Sequence, residues 1–334
     1  MNLETVILEG IDSQASEVFL SPDAPPYFRI NGSLKSIKQF PTLCVKDIAD
    51  LIKPLLDENQ SRSLTKNGNI QFIYFFSKLN VKCKINIFSQ INGFAVSFRY
   101  IRPDIPALEE IGAPDVIKDL LRIEHGLILV SGPEGSGKTS TVASMIQYIN
   151  SYLGKHIITL ENNIEYVFKS NISLINQLQL DFGKELQQYL RISLNSNPDI
   201  IVIGEIQNRE TMRMILNTAE TGHLVISTLN SSSVVNAIQR MIDFFPGSEK
   251  EIIRNLLGNI FQGIICQKLI LNSKDGRTAL FEILLSTTAT RNLIRENKIE
   301  LLENIMELNQ EIGMSTFDTA VKNIQRVERT GIMT

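Results

Sequence analysis

Short hydrophobic runs separated by polar turns fill the first hundred positions of the chain. Several runs alternate apolar and polar residues, as strands do when they bury one face. Asn31-Gly32 and Ile91-Asn92-Gly93 predict tight turns, because Asn and Gly tolerate a positive φ. Residues 47–56 instead have helical spacing. This order predicts a small α+β domain with helices on an antiparallel sheet, whose strands are 17–20, 27–30, 71–76, 81–88 and 94–100.

From residue 113 onward the pattern changes, because fully apolar runs alternate with stretches of helical spacing. Such runs lack the alternation of a half-exposed strand and predict strands buried on both faces. Asn208 is placed to cap one of the helices, and Ser315 to begin another. The chain is therefore predicted to be α/β here, with a parallel sheet covered by helices. The predicted strands are 127–131, 157–160, 200–203 and 224–228.

The length of 334 residues agrees with two domains of roughly 150 residues each. Residues 1–100 are the predicted N-terminal domain and 113–334 the second domain with its C-terminal helices. Residues 101–112 contain several prolines and are predicted to link the two.

The charge balance and the cysteine content of the chain exclude several classes of function. The chain carries 33 Lys+Arg against 36 Asp+Glu, so it lacks the basic excess of a dedicated nucleic-acid protein. No apolar run reaches the ~18 residues of a membrane span, and the N-terminus is not typical of a signal peptide. We therefore expect a cytoplasmic chain that reaches a membrane only through a partner. The widely separated cysteines predict no zinc site; they are Cys44, Cys83 and Cys266.

One motif after the first buried strand of the second domain carries clear chemistry. Residues 132–139 read GPEGSGKT and match GxxxxGK followed by Ser or Thr. The glycines let backbone N–H groups surround phosphates, and the following helix N-terminus adds positive potential. Lys138 would bridge the β- and γ-phosphates of ATP, and the Thr139 hydroxyl would ligate Mg²⁺. The predicted nucleotide-binding residues are Gly132, Pro133, Glu134, Gly135, Ser136, Gly137, Lys138, Thr139 and Ser140.

Acidic residues follow two other predicted strands. Glu205 ends an apolar strand and suits a Walker-B element, whose carboxylate holds Mg²⁺. Glu161 and Glu165 follow the strand 157–160, and either one could orient the attacking water. His223 precedes the strand 224–228 and could reach the γ-phosphate region. Lys138 and these four residues are the predicted catalytic set.

Several segments together resemble the ATPases of type II and type IV secretion systems. The resemblance covers nearly the whole chain, and some segments are similar to the branch that retracts pili in twitching motility. The histidine-box, Walker-B and aspartate-box segments are 219–229 (AETGHLVISTL), 197–205 (NPDIIVIGE) and 158–167 (ITLENNIEYV), and the retraction-branch segments are 15–21 (ASEVFLS), 291–296 (RNLIRE) and 313–318 (GMSTFD).

The resemblance implies a homohexameric ring of two-domain subunits, with a smaller PAS-like domain preceding a RecA-like P-loop ATPase domain. It implies an ATP-driven motor for type IV pilus retraction, peripheral at the inner membrane of a pilus-bearing bacterium. A pilus platform protein is the implied membrane partner, and a paralogous retraction ATPase is a further candidate. By resemblance, Glu165 matches the catalytic base, Glu205 the Walker-B carboxylate and His223 the first box histidine, while Arg99 matches an arginine directed at the phosphates. The missing tetracysteine zinc site favours retraction over assembly.

Four asparagines and one short segment depart from the family pattern. Asn162 and Asn208 stand where the family usually has aspartate, Asn195 replaces an arginine, and Asn230 replaces the second box histidine. Residues 180–183 form a shorter segment than usual. These departures bear on turnover and on communication between subunits. Three alternatives stay open: a pilus assembly or secretion ATPase, a weakly hydrolysing accessory ring subunit, and a helicase-like ring.

Overall fold

The computed structural model describes residues 2–37, 39–101, 104–180, 186–271 and 277–330. The chain divides into two compact units, Met1–Asp104 and Ile105–Thr334. Residues 102–103 of the predicted linker and 181–183 of the short segment lie outside the described residues. No helix in the described ranges is long and apolar enough to cross a membrane.

The N-terminal unit is built on a six-stranded antiparallel sheet with strand order β3-β2-β1-β6-β5-β4. Alternate residues of its strands enter one core, where Phe28, Ile85 and Phe98 are fully buried. The turn at Asn31-Gly32 has positive φ at both residues, as predicted. The elements are α1 (Leu3–Asp12), β1 (Glu17–Leu20), β2 (Tyr27–Ile30), β3 (Ser33–Ser36), α2 (Val45–Ile52), a 3-10 turn (Lys53–Leu55), α3 (Glu58–Asn67), β4 (Asn69–Phe76), β5 (Val81–Gln90) and β6 (Gly93–Ile101).

The C-terminal unit contains a seven-stranded sheet with order β13-β12-β7-β11-β10-β8-β9, parallel except for β13. Its elements are α4 (Val116–Leu120), β7 (Gly126–Gly132), α5 (Lys138–Tyr152), β8 (His156–Glu161), β9 (Leu174–Gln179), α6 (Leu186–Leu194), β10 (Ile200–Glu205), α7 (Arg209–Glu220), β11 (Leu224–Asn230), α8 (Val234–Asp243), α9 (Lys250–Ile260), β12 (Phe261–Leu271), β13 (Arg277–Leu285), α10 (Thr288–Arg295), α11 (Leu302–Leu308), α12 (Phe317–Thr330) and 3-10 turns at Ile299–Leu301 and Gln310–Ile312.

Helices cover both faces of this sheet, which explains why its central strands are mainly apolar on both faces. In β7, Leu127 and Leu129 pack into one core, whereas Ile128 and Val130 pack into the other. Because β7, β8, β10 and β11 are parallel, their carboxyl ends meet along one edge. That edge carries the loop 132–139.

Two helix starts test the capping predictions. Asn208 caps α7, since its side-chain oxygen accepts a hydrogen bond from the Thr211 N–H at 2.9 Å. For α12 the predicted residue was wrong by one position. Thr316, rather than Ser315, caps this helix, and its Oγ1 accepts from the Thr319 N–H at 3.3 Å.

Candidate active site

The loop 132–139 joins the end of β7 to the first residue of α5. Gly135 and Gly137 have φ of +76° and +94°, which side chains rarely adopt. A Cβ on Gly132 would lie 2.4 Å from the backbone oxygen of Gln267 on β12. The loop therefore packs against the neighbouring strand at a distance that requires glycine, and strand, loop and helix follow in the order that the motif needs.

Polar groups of the loop are arranged around the space that a phosphate would take. The Lys138 Nζ donates to the carbonyl oxygens of Gly132 and Pro133, at 2.9 and 3.0 Å. The Ser136 Oγ is buried and has no hydrogen-bond partner among the described residues. A buried hydroxyl of this kind calls for a ligand or water. A phosphate group fits this set of donors, and Thr139 at the exposed start of α5 is placed for a metal ion.

The Asn230 side chain hydrogen-bonds both Lys138 and Glu205, the predicted Walker-B carboxylate. Asn230 ends β11, directly beside Gly132 in the β7–β11 register. Its Oδ1 accepts from the Lys138 Nζ at 2.6 Å, and its Nδ2 donates to the Glu205 Oε1. The structure thus brings the predicted residues Lys138 and Glu205 to one edge of the sheet, with Asn230 between them.

Glu161 ends β8 at the same edge, beside the Glu205 strand. Its Oε1 accepts from the Thr159 hydroxyl at 2.7 Å and from the Gln177 amide at 3.3 Å. Burial raises the pKa of Glu161, while the hydrogen bonds from Thr159 and Gln177 lower it and the negative charge of Glu165 raises it further. Glu161 is therefore a carboxylate whose charged form the fold disfavours.

The segment that carries Glu165 is hydrogen-bonded to the first turn of α5, directly after the glycine loop. The Tyr166 hydroxyl and the Ser140 Oγ are 2.9 Å apart, which links this segment to the first turn of α5. Gln177 of β9 donates to the Tyr166 carbonyl at 2.9 Å and accepts from the Phe168 N–H at 2.9 Å. Glu165 is thus held next to the start of α5, where a water activator for a bound nucleotide belongs.

The Glu161→Gln substitution is expected to raise the free energy of unfolding near neutral pH. The raised pKa means that the charged carboxyl costs more in the folded than in the unfolded chain. This cost is fully present above the folded-state pKa and disappears as pH falls through it toward the ordinary value of 4.5, so the difference between variant and wild type should shrink as pH falls from neutral toward that value. Urea unfolding across this range measures it. The exposed Glu110→Gln change is the matched control, and a difference that does not vary with pH would contradict the argument.

The remaining predicted site residues are His223, in the C-terminal unit, and Arg99, in the N-terminal unit. His223 precedes β11, and its carbonyl accepts from the Gly126 N–H at 3.0 Å, at the start of β7. It therefore lies at the opposite end of the sheet from the loop, and the prediction that it reaches the γ-phosphate region of its own subunit is wrong. Arg99 lies on β6 of the N-terminal unit, opposite Glu17 and Lys84. Its approach to the phosphates stays a prediction.

Sequence reasoning missed three residues as parts of the site: Asn230, Tyr166 and Gln177. Asn230 had a readable signal, because a polar residue directly after a buried strand lies at the carboxyl edge of the sheet. Tyr166 and Gln177 had none, since their contacts join segments that are distant along the chain.

The comparisons with known proteins agree with this geometry. The family model of the type II/IV secretion system protein matches residues 2–330. The chain is 36% identical to the uncharacterized protein YggR of Escherichia coli, covering 97% of this chain and 98% of that one. It is 34% identical to the type IV pilus retraction ATPase PilT of Pseudomonas aeruginosa, covering 97% and 94%.

Among solved structures, the crystal structure of the pilus retraction motor PilT with bound ADP shares 37% identity at a TM-score of 0.79 and covers 96% of both chains. The likeness confirms the predicted fold class, a RecA-like P-loop ATPase domain preceded by a smaller PAS-like α+β domain. The chain therefore belongs to the type II/IV secretion system protein family.

Proposed function

We propose that this chain is a Mg²⁺-dependent ATPase that converts ATP and water to ADP and phosphate. The observation that carries the proposal is that the Lys138 ammonium and the Glu205 carboxylate both bond the Asn230 side chain beside the glycine loop. An ammonium and backbone N–H groups suit phosphates, and a carboxylate suits the metal that accompanies them. The nucleotide-binding set is Gly132, Pro133, Glu134, Gly135, Ser136, Gly137, Lys138, Thr139 and Ser140.

The roles within this site follow from charge and position. Thr139 and Glu205 would hold Mg²⁺, which when bound neutralises charge on the β- and γ-phosphate oxygens. Glu165 accepts the proton of the attacking water, supported by its attachment to the start of α5 through Tyr166. Glu161 is the second carboxylate near that water, but Thr159 and Gln177 already donate to its Oε1, which makes it the weaker choice for the base.

We further propose that ATP hydrolysis drives the retraction of type IV pili. The support is the likeness over nearly the whole chain to a protein named a pilus retraction ATPase and to the structure of a pilus retraction motor. In this proposal the subunits form a homohexamer in the cytoplasm, peripheral at the inner membrane. An inner-membrane pilus platform protein recruits the ring, and a paralogous retraction ATPase is a second partner. Arg99 then senses the phosphates, and neither nucleic acid nor zinc takes part.

A chromosomal substitution in the bacterium that carries this gene distinguishes a role in pilus retraction from a role in pilus assembly. Replacing the chromosomal copy with Lys138→Ala is expected to leave excess surface pili and to abolish twitching, because fibres form but are not withdrawn. Electron microscopy of surface pili and a twitching assay measure both effects. Cells without pili would instead indicate an assembly ATPase, and cells with normal pili and normal twitching would overturn the proposed function. A Lys298→Ala strain is the control, since Lys298 pairs with Glu296 at the surface.

A further inference from the structure

Asn230 makes contact with both charged groups of the proposed nucleotide site. Its Oδ1 lies 2.6 Å from the Lys138 Nζ, and its Nδ2 donates to the Glu205 Oε1. The amide orientation follows from its neighbours, because an ammonium can only donate and a carboxylate can only accept. In the reverse orientation the amide nitrogen would face the Lys138 ammonium, donor against donor, and the amide oxygen would face the Glu205 carboxylate, acceptor against acceptor.

The backbone of Asn230 is fixed from three directions. Its strand pairs with β7 in a register that sets Asn230 opposite Gly132. The Arg240 guanidinium of α8 donates to the Asn230 carbonyl at 3.0 Å, and the next N–H, of Ser231, donates to the Gly132 carbonyl at 3.3 Å. A side chain on so constrained a backbone holds its partners in place rather than following them.

A neutral amide also keeps the two charges separated. A direct contact between Lys138 and Glu205 would be an ion pair that the phosphates and the metal must break before either residue can act. The amide bonds each group singly and leaves the ammonium on the carbonyls of the loop, at Gly132 and Pro133. A carboxylate in its place would add a second negative charge beside Glu205.

We propose that Asn230 is a positioning residue that couples the Lys138 ammonium to the Glu205 carboxylate and aligns both for ATP hydrolysis. The inference rests on the proposed ATPase function. Asn230 acts through these two residues: its oxygen holds the ammonium facing the loop, and its amide nitrogen orients the carboxylate toward the metal position. When the ammonium moves to the phosphates, the Nδ2 bond still fixes Glu205.

Steady-state ATP hydrolysis by the full chain tests this role with two variants. N230A is expected to lower kcat about 10- to 100-fold, the effect of losing hydrogen bonds to charged groups, with KM for ATP within about threefold. N236A is the matched control, because among the described contacts the Asn236 amide nitrogen donates to the hydroxyl of Ser232, just before α8, and to neither Lys138 nor Glu205. Thermal unfolding of each protein shows whether it is folded.

N230D supplies a readout that a role in packing alone would not move. An aspartate has nearly the same size and offers an oxygen to the Lys138 ammonium, but it cannot donate to the Glu205 carboxylate. A positioning role therefore predicts that N230D loses kcat as N230A does, with KM for ATP within about threefold of wild type, whereas a role in packing alone predicts wild-type kcat.

Each result decides the proposal. A loss in kcat by folded N230A and folded N230D, with N236A unaffected, supports it. A kcat of N230A or of N230D within about threefold of wild type overturns the positioning role and leaves the ATPase function standing. Wild-type turnover no faster than that of K138A would overturn the ATPase function and this inference together.

Discussion

Purified K138A is expected to hydrolyse ATP at least about 100-fold more slowly than wild type, which is the scale of losing a preorganised charge-stabilising donor. In the transition state negative charge spreads over the transferred phosphoryl group and the β–γ bridging oxygen. Lys138 is the cation that the loop itself directs there, since its ammonium lies on the carbonyls of Gly132 and Pro133. Phosphate release with saturating Mg²⁺ and ATP measures the loss.

The control for K138A is K298A, which removes an exposed ammonium paired with Glu296. Exposed pairs of this kind contribute little to stability because solvent screens them, so K298A should keep wild-type turnover. Turnover by K138A within about threefold of wild type would show that the measured hydrolysis does not come from this site. Circular dichroism of both variants shows whether a loss of ATP hydrolysis comes from the active site or from unfolding of the protein.

Strands β7, β8, β10 and β11 of the C-terminal sheet were predictable because each contributes residues to the cores on both faces. Leu129 and Val130 face opposite layers of helices, so the sequence there is apolar without interruption. Strand β9 was not predicted, and none of its residues is fully buried. The β12–β13 hairpin was not predictable in the same way. Helix α9 ends at Ile260 and β12 begins at Phe261, and no polar turn separates the two elements. Gly263 within this run is needed for packing, since a Cβ there would lie 2.5 Å from the Leu120 side chain.

The residues of the candidate site divide in the same way: a local sequence motif reveals some of them, and only tertiary contacts reveal the others. The loop 132–139 and Glu205 were predictable, because a complete motif and a strand-terminal carboxylate each carry their own meaning. The position predicted for His223 was wrong, although the order of the secondary-structure elements was sufficient to assign it to one end of the sheet. A residue that precedes a parallel strand lies at the opposite edge from one that follows it, and His223 precedes β11 whereas Asn230 ends it.

The helix α1 illustrates a further limit. Leu3, Val6, Ile7 and Gly10 are buried at helical spacing, yet no turn marks the segment and its partner is distant. The Tyr100 hydroxyl donates to the Ile7 carbonyl at 2.6 Å, and a Cβ on Gly10 would lie 2.2 Å from that hydroxyl. A contact over ninety-three positions fixes this helix on the sheet, and only the folded chain displays it.

E165Q is expected to bind ATP and retain it unhydrolysed, with kcat lowered about 10²- to 10⁴-fold, the usual contribution of a general base. In hydrolysis the water oxygen bonds to the γ-phosphorus as its proton passes to the base, and the bond to the β-phosphate oxygen breaks with its electron pair leaving on ADP. An uncharged amide cannot take that proton. The segment itself should keep its place, because Tyr166 still bonds Ser140 and Gln177.

Acid-quenched single-turnover experiments with labelled ATP distinguish binding from chemistry in E165Q. Label recovered with the folded protein should be ATP rather than ADP, whereas K138A should also lose affinity because its defect lies in the phosphate cradle. E296Q, which changes an exposed carboxylate paired with Lys298, should behave as wild type. Wild-type turnover by E165Q would remove Glu165 from the role of base. Because Glu161 is another carboxylate near this segment and burial raises its pKa, an activity of E165Q that increases with pH would identify Glu161 as the base instead.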